Sequence, residues 1–370
     1  MKSKKIVLTG GPCAGKTTAL QQIEKEFTER GYHVIIVPEA ATLLIQSGIR
    51  PFGEHGMDMV SFQKYVIDLQ MTLENLAMKA ANEDQNPCLI VCDRGLLDDK
   101  AYVEDTSWKK LLDTYHQTQW DWMNRYDMVI HLRTAAMGKE EFYTLGNNQA
   151  RTESPKEACE KDQKTLESWL GHENLKVIGN ETSFQDKIHR VICEIYHALE
   201  KPYPIQIQRK FLLSKMDLQS IEAFNWVCLE MEQYVIKGQN EEIYYRKTMR
   251  QGETKYTQIK KIDTPAVNER ITISRNISKT EYEQNKPLDM KPIQKKRYCF
   301  EYKNQYFRLD IFDDGLHILE VEPTNVNQII TLPDFVYVVD DVTNNPEYRN
   351  SNLFMKRNQS PLDKSLVLKK

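Results

Sequence analysis

Seven cysteines are scattered through 370 residues with no CxxC pair and no Cys/His cluster, and their number is odd. That pattern argues against a disulfide framework or a structural zinc finger, and it favours a reducing compartment. No run of the ~18–20 apolar residues needed to cross a bilayer occurs, and Met-Lys-Ser-Lys-Lys leads straight into Ile6-Val7-Leu8 without a signal-like apolar segment. A cytoplasmic protein is therefore expected. Internal repeats and low-complexity tracts are missing, as is any aromatic-plus-basic module of the kind that binds nucleic acid. Net charge is nearly missing as well, at −3.

That near-neutrality conceals an asymmetry. Residues 1–200 carry 23 basic and 30 acidic side chains, and residues 201–370 carry 27 and 23. With 40% hydrophobic and 28% charged residues the composition is that of a chain able to bury a core, and the length suits two domains.

In the first half, strand-length apolar runs at Ile6–Leu8, Val34–Val37, Leu89–Cys92 and Met128–Leu132 alternate with helical patterns at Thr18–Arg30, Met59–Asn82 and, more weakly, Cys159–Leu170. A short strand at Leu175–Ile178 and a helix over Phe184–Leu199 complete the series. The alternation predicts an α/β fold whose parallel sheet, with strands buried on both faces, carries helices on both sides. Past Lys201-Pro202-Tyr203-Pro204 the pattern changes to period-two alternation rich in Tyr, Ile, Val and Thr, which predicts antiparallel strands. The expected organisation is a nucleotide-binding domain over 1–199, a second domain over 203–350 and a flexible tail over 351–370.

Gly10-Gly11-Pro12-Cys13-Ala14-Gly15-Lys16-Thr17 fits GxxxxGK[ST] between the first strand and the first helix. Backbone N–H groups from Gly10 to Thr18, aided by the helix dipole, would cradle phosphates. Lys16 would meet the β/γ-phosphates, and Thr17 would ligate Mg²⁺. Cys13 occupies a variable slot and reads as a small filler. Asp93, at the end of an apolar strand and followed by Arg94-Gly95, is placed to hold Mg²⁺ directly or through water, or else to cap the next helix. Glu39 could orient a water or an acceptor hydroxyl, or simply be solvated. Arg151 lies where a lid could close over phosphates, or on a plain surface. Asn180, after the fifth strand, is a candidate for the base pocket. The guanine-reading N/TKxD pattern is missing, which leaves ATP and GTP both open. Gly10–Thr18 with Asp93-Arg94-Gly95 resembles the ribosylnicotinamide-kinase-like group of P-loop ATPases, over residues 3–198.

In the second half charged residues alternate along predicted strands: Gln206, Gln208 and Lys210; Lys295 and Arg297; Arg308 and Asp310; Glu320 and Glu322. Residues two apart share a face. That face is either solvated or the lining of a barrel of about eight strands, wide enough for one ligand. Gln206-Ile207-Gln208-Arg209-Lys210, Lys295-Lys296-Arg297, Asp310-Ile311-Phe312 and Glu320-Val321-Glu322, with the ending Asp341–Asn350, resemble the CYTH superfamily of triphosphate tunnel metalloenzymes over about 203–350. The resemblance implies an α+β tunnel barrel in which Lys210, Arg246, Lys260, Arg270, Lys295, Arg297 and Arg308 face phosphate, and Asp310, Glu320 and Glu322 face a metal. Gln206 and Gln208 stand where that family has glutamates. Glutamine is a poor ligand for a hard dication, so binding of a phosphorylated ligand is expected over cleavage.

The order of the two domains resembles the TRPL translocation defect protein 14-like family. This implies GTP and phosphoinositide as partners and a peripheral membrane role, to which the tail cations Lys356, Arg357, Lys364, Lys369 and Lys370 would contribute. The expected function is a Mg²⁺-dependent ATP/GTP-binding protein, a slow NTPase or switch. The alternatives are a small-molecule kinase of nucleoside type and a tunnel triphosphatase with a regulatory P-loop domain.

Overall fold

The computed structural model describes residues 3–139, 154–201, 208–214, 218–221, 224–263, 270–324 and 328–359. Arg151 and Gln206 lie outside them, as does the side chain of Arg270. The chain divides into two compact units, Met1–Ala198 and Leu199–Lys370.

The first unit is a five-stranded parallel sheet. Strands β1 (Lys4–Gly10), β2 (His33–Val37), β3 (Cys88–Asp93), β4 (Met128–Leu132) and β5 (Leu175–Ile178) lie in the order β2-β3-β1-β4-β5. The α/β expectation is met, with one difference. As the edge strand, β2 is only half-buried over Val34–Ile36, whereas β1, β3 and β4 have buried interiors.

Helix α1 spans Lys16–Glu29 and buries Ala19, Leu20, Ile23 and Phe27, the i, i+4, i+8 stripe that its sequence spells out. Short α2 (Ala40–Gln46) leads to the 25-residue α3 (Met59–Glu83), whose start is fixed by the Asp58 side chain accepting from the Ser61 N–H. A 3₁₀ turn (Leu96–Tyr102) and helices α4 (Asp105–Thr114) and α5 (Gln119–Met123) occupy a stretch where the sequence pattern predicts no element. Helix α6 (Pro155–Trp169) opens on a Ser154/Glu157 capping box with Pro155 in its first turn, and α7 covers Phe184–Ala198.

The second unit is one antiparallel sheet of nine strands. They are β6 (Arg209–Leu213), β7 (Trp226–Lys237), β8 (Glu241–Arg250), β9 (Glu253–Asp263), β10 (Arg270–Asn276), β11 (Ile293–Tyr302), β12 (Gln305–Phe312), β13 (His317–Val321) and β14 (Val338–Asp341). Their order is β10-β9-β8-β7-β11-β12-β13-β6-β14, and among the described residues no pairing joins the two end strands. One face is apolar: Phe211, Phe300, Phe307, Leu309, Leu319 and Val321 pack into a cluster with Leu332 and Phe335.

Helix α8 is Lys279–Gln284. The flexible tail expected over 351–370 is not what its first part forms, because Asn350–Asn358 is helix α9 and buries Leu353 and Phe354 in a core with Tyr234 and Tyr282. Two apolar side chains one residue apart sufficed to anchor a segment that composition alone marks as loose. Residues 360–370 are outside the described set. No helix among the described residues is long and apolar enough to cross a membrane.

Candidate functional site: a phosphate cradle and a buried charged face

The P-loop occupies the turn from β1 into α1, at the carboxyl end of the sheet where open α/β folds bind ligands. Its backbone demands glycine for identifiable reasons. Gly15 has φ +87°, and a Cβ there would meet the Phe184 ring at 2.6 Å. A Cβ on Gly11 would lie 2.7 Å from that of Asp162. Cys13 tolerates a positive φ of 55° without being glycine. Lys16 reaches back to the Gly10 carbonyl at 3.5 Å, and burial with the nearby Arg94 guanidinium lowers its pKa. Thr17 and Thr18 lie exposed on the first turn of α1.

Strand order brings the neighbouring candidates together, since β3 lies between β1 and β2. Asp93 pairs in register with Leu8. Burial raises its pKa, and its Oδ1 is buried with no hydrogen-bond partner among the described residues. Asp93 and Thr17 each carry oxygen ligands of the hard kind that Mg²⁺ takes.

Arg94 adopts φ +74° and donates from Nε to Glu39 Oε1 at 2.6 Å, while its Nη1 is buried with no partner among the described residues. Thr42 donates to the other Glu39 oxygen. Burial acts to raise the Glu39 pKa, but Arg94 and Lys16 outweigh it and hold the carboxylate at about 2. Glu39, partly exposed, is thus held as an ion-paired anion.

Asn180 is occupied otherwise than the sequence reading suggests. Its amide donates to the carbonyls of Thr134 and Met137, and its oxygen accepts from Lys187 at 2.7 Å. It braces the loop after β4, and nothing in these bonds faces a base.

Sequence reasoning missed Asp162. This fully buried carboxylate on α6 accepts from the Gly11 N–H at 2.8 Å, the Thr134 N–H at 3.0 Å and Arg133 Nη1 at 2.8 Å, and His131 Nε2 lies 3.3 Å away. Burial opposes its ionisation, but His131 and Arg133 hold its pKa well below the usual carboxylate range. Thr134 also donates its hydroxyl to the Pro12 carbonyl, and the Ala135 N–H donates to the Cys13 carbonyl. The outer side of the P-loop is therefore clamped by β4 and α6. An acidic residue on a polar helix gives no sequence signal of this. Asp98 is a second such residue: it accepts from Thr9, the Gly95 N–H and the Trp169 indole, and so fixes the turn after Asp93.

In the second unit the register decides which cations share a face. Across the sheet, Arg246 opposes Gln233, Arg297 opposes Asp310, Arg308 opposes Glu320 and Glu320 opposes Lys210. Lys295 shares the face of Arg297. This face is buried, with Lys295 4%, Asp310 1% and Glu320 6% exposed. It is not the solvated side of a half-buried sheet.

Arg297 binds Asp310 through both Nε and Nη2 at 2.7 Å and reaches Glu320 at 3.2 Å. Lys295 also binds Asp310, Lys210 lies 3.0 Å from Glu320, and Arg308 reaches Glu320 and Glu322. Burial lowers the Lys295 pKa to about 8 even so. Arg246 donates to Gln233 Oε1, whose own Nε2 is buried without a partner.

Lys260 is a correction. It lies opposite Ile243 and Ile273, on the other face from Arg246, and pairs with the half-exposed Glu241. Its neighbour Lys261 is on the charged face. Asp310, Glu320 and Glu322 are each engaged by lysine or arginine, so they form an ion-pair lattice and not an open ligand set. Gln208 sits half-buried just before β6. Arg357, read as a tail cation for an anionic surface, instead binds Asp313 and Asp314 from α9.

Residues 5–187 match the family described as AAA domain. The first unit is accordingly a P-loop NTPase domain of AAA type. No curated protein matches the chain. Among solved structures, one titled as the inorganic triphosphatase NE1496 is similar at 21% identity and a TM-score of 0.30, covering 41% of this chain and 96% of its own. Another, titled as the hypothetical protein NE1496, is similar at 22% identity and a TM-score of 0.29, covering 41% and 98%.

Proposed function

Taking residues 5–187 as an AAA-type P-loop NTPase domain, we propose that the first unit is a Mg²⁺-dependent phosphotransferase that moves the γ-phosphoryl group of ATP or GTP to a small hydroxyl-bearing acceptor. The observation that carries this reading is the Glu39–Arg94 pair beside Asp93. A nucleotide switch needs the P-loop and its metal, but it has no use for a partly buried charge pair at the adjoining strand ends. Phosphoryl transfer asks chiefly for positioning and charge stabilisation, since its transition state is loose. At a pKa of about 2, Glu39 would orient the acceptor hydroxyl by accepting its hydrogen bond; it is too weak a base to remove the proton early. Arg94, with a buried N–H unspent, would meet the transferring oxygens, while Lys16 neutralises the β/γ-phosphates and Thr17 and Asp93 hold Mg²⁺.

For the second unit we propose a phosphorylated anion bound on the charged face by Lys210, Arg246, Lys295, Arg297 and Arg308. A polyphosphate, a nucleotide and a phosphoinositide headgroup share that chemistry. Because Asp310, Glu320 and Glu322 are each already ion-paired, the reading favours binding without metal-dependent cleavage there.

The test supplies γ-labelled ATP or GTP with a small-molecule extract and follows the label by mass spectrometry. Label in an organic phosphate, lost in Lys16→Ala, supports transfer. Label only in inorganic phosphate at a slow, Lys16-dependent rate favours the switch reading. Triphosphate cleavage that survives Lys16→Ala and fails in Glu320→Gln would place hydrolysis in the second unit.

A further inference from the structure

At the opposite edge of the first sheet, three side chains of different chemistry converge. His33 opens β2 and Cys88 opens β3, and the two are register partners, so the ladder fixes their separation. Asp84 follows the last turn of α3 as its C-terminal cap. Its Oδ2 lies 2.6 Å from His33 Nδ1, and the two, with Cys88 Sγ, lie within 4.8 Å of one another. This is the sole such His/Cys/carboxylate group among the described residues.

Two further features prepare it. Asp84 Oδ1 accepts from both the Asn86 N–H at 2.8 Å and the Asn86 side chain at 3.1 Å, which orients the carboxylate and leaves Oδ2 for another partner. The Cys88 thiol is in no disulfide and turns toward the Asn86 carbonyl at 3.4 Å. Outer hydrogen bonds that orient ligands in this manner are a regular part of metal sites.

We propose that His33, Asp84 and Cys88 form a binding site for a borderline-soft divalent cation of the zinc class, with water as the fourth ligand. Imidazole, thiolate and carboxylate suit Zn²⁺, whereas Mg²⁺ asks for oxygen alone. His33 is exposed enough to admit both ion and water. At zinc–ligand distances of ~2.0–2.3 Å, tetrahedral neighbours sit roughly 3.3–3.7 Å apart, so the His33–Asp84 contact opens by under ~1 Å on binding.

Binding replaces the thiol S–H bond with a metal–thiolate bond and releases that proton to water. Because His33 and Cys88 begin their strands and the P-loop ends β1, this site and the Mg²⁺ site lie at opposite edges of the sheet, about 15–20 Å apart by strand rise. Occupancy would tie the end of α3 to β2 and β3.

The test titrates the full chain with Co²⁺ and then Zn²⁺ under excess Mg²⁺, reading the thiolate-to-cobalt absorption band and the ion-to-protein ratio by native mass spectrometry. The expected result is one ion per chain, affinity lowered at least tenfold in His33→Gln and in Cys88→Ser, no change in Cys13→Ser, and a melting temperature raised by several degrees with Zn²⁺. Should Cys88→Ser fail to fold, the exposed His33→Gln decides alone. The proposal is overturned by no stoichiometric ion, by binding that persists in His33→Gln, or by binding that vanishes in Cys13→Ser.

Discussion

Replacing Asp162 by asparagine tests the P-loop clamp with almost no change of shape. The carboxylate is fully buried and takes two backbone N–H groups and the Arg133 guanidinium, with His131 at its side. Asparagine can keep the bonds from Gly11 and Thr134 through its oxygen, but it presents an NH₂ to Arg133 and removes the negative charge of Asp162 from beside that buried cation. Breaking a buried pair from one side costs about 3–5 kcal/mol. Against a domain stability of ~5–15 kcal/mol this is a large share, and for a unit of this size it lowers the melting temperature on the order of 10 °C. Trp108, Trp120, Trp122 and Trp169 belong to the first unit and only Trp226 to the second, so tryptophan fluorescence during urea unfolding reports chiefly on the unit in question. The double variant Asp162→Asn/Arg133→Met should recover part of the loss, because it removes the buried cation as well. Nucleotide affinity should fall in the single variant even where the unit stays folded, since the Gly11 segment loses its charged anchor. A shift under ~1 kcal/mol with unchanged nucleotide affinity would refute the clamp.

Gly15→Ala should abolish nucleotide binding, since its Cβ would strike the Phe184 ring at 2.6 Å in a backbone conformation alanine resists; equilibrium binding of ATP measures it. Glu39 has its pKa lowered on folding, so its contribution is complete above the unfolded value of 4.5 and is lost as pH falls toward about 2. At up to ~3 kcal/mol, it should make acid unfolding of the first unit shallower in Glu39→Gln between pH 4.5 and 2. Arg297→Met takes the two-bond partner from Asp310, which keeps only Lys295, and one of three cations from Glu320; it should destabilise the second unit by up to about 3–5 kcal/mol while weakening tripolyphosphate binding, as calorimetry would show. Lys260→Ala breaks only a half-exposed pair with Glu241, and should alter stability by under ~1 kcal/mol and leave tripolyphosphate affinity alone.

What the sequence makes legible is what depends on periodicity and on contiguous motifs. The parallel sheet follows from its apolar runs, and the P-loop from eight adjacent residues. Helix α3 is read almost to its ends because a 25-residue stripe outweighs local ambiguity. The short elements between Leu96 and Met123 escape for the opposite reason, as five to ten residues hold too few turns to show a period. Half-buried β2 reads as a fully buried strand because edge position is a property of the sheet and not of Val34-Ile35-Ile36.

In the candidate sites, spacing within a strand puts Lys295 with Arg297, and Arg308 with Asp310, on one face, since alternation survives folding; register then joins these pairs and Glu320 into a common face. Spacing fails at Lys260, where the strand offers Lys260-Lys261 side by side and only cross-strand register chooses between them. Asp162, 151 residues from its Gly11 partner, is legible in no local pattern. Asn180 has the right position after β5, but its amide is consumed by Thr134, Met137 and Lys187.

If the Glu39–Arg94 pair serves an acceptor hydroxyl, the γ-phosphoryl group must reach an organic acceptor. The most direct measurement is the ratio of labelled organic phosphate to labelled inorganic phosphate from γ-labelled ATP or GTP, with and without an extract of small hydroxylated metabolites, in the unaltered chain, Lys16→Ala and Glu39→Gln. The account predicts an organic product that requires the extract and Lys16 and falls at least tenfold in Glu39→Gln with nucleotide binding retained. Inorganic phosphate released at one rate with or without extract, and unaffected by Glu39→Gln, would contradict it.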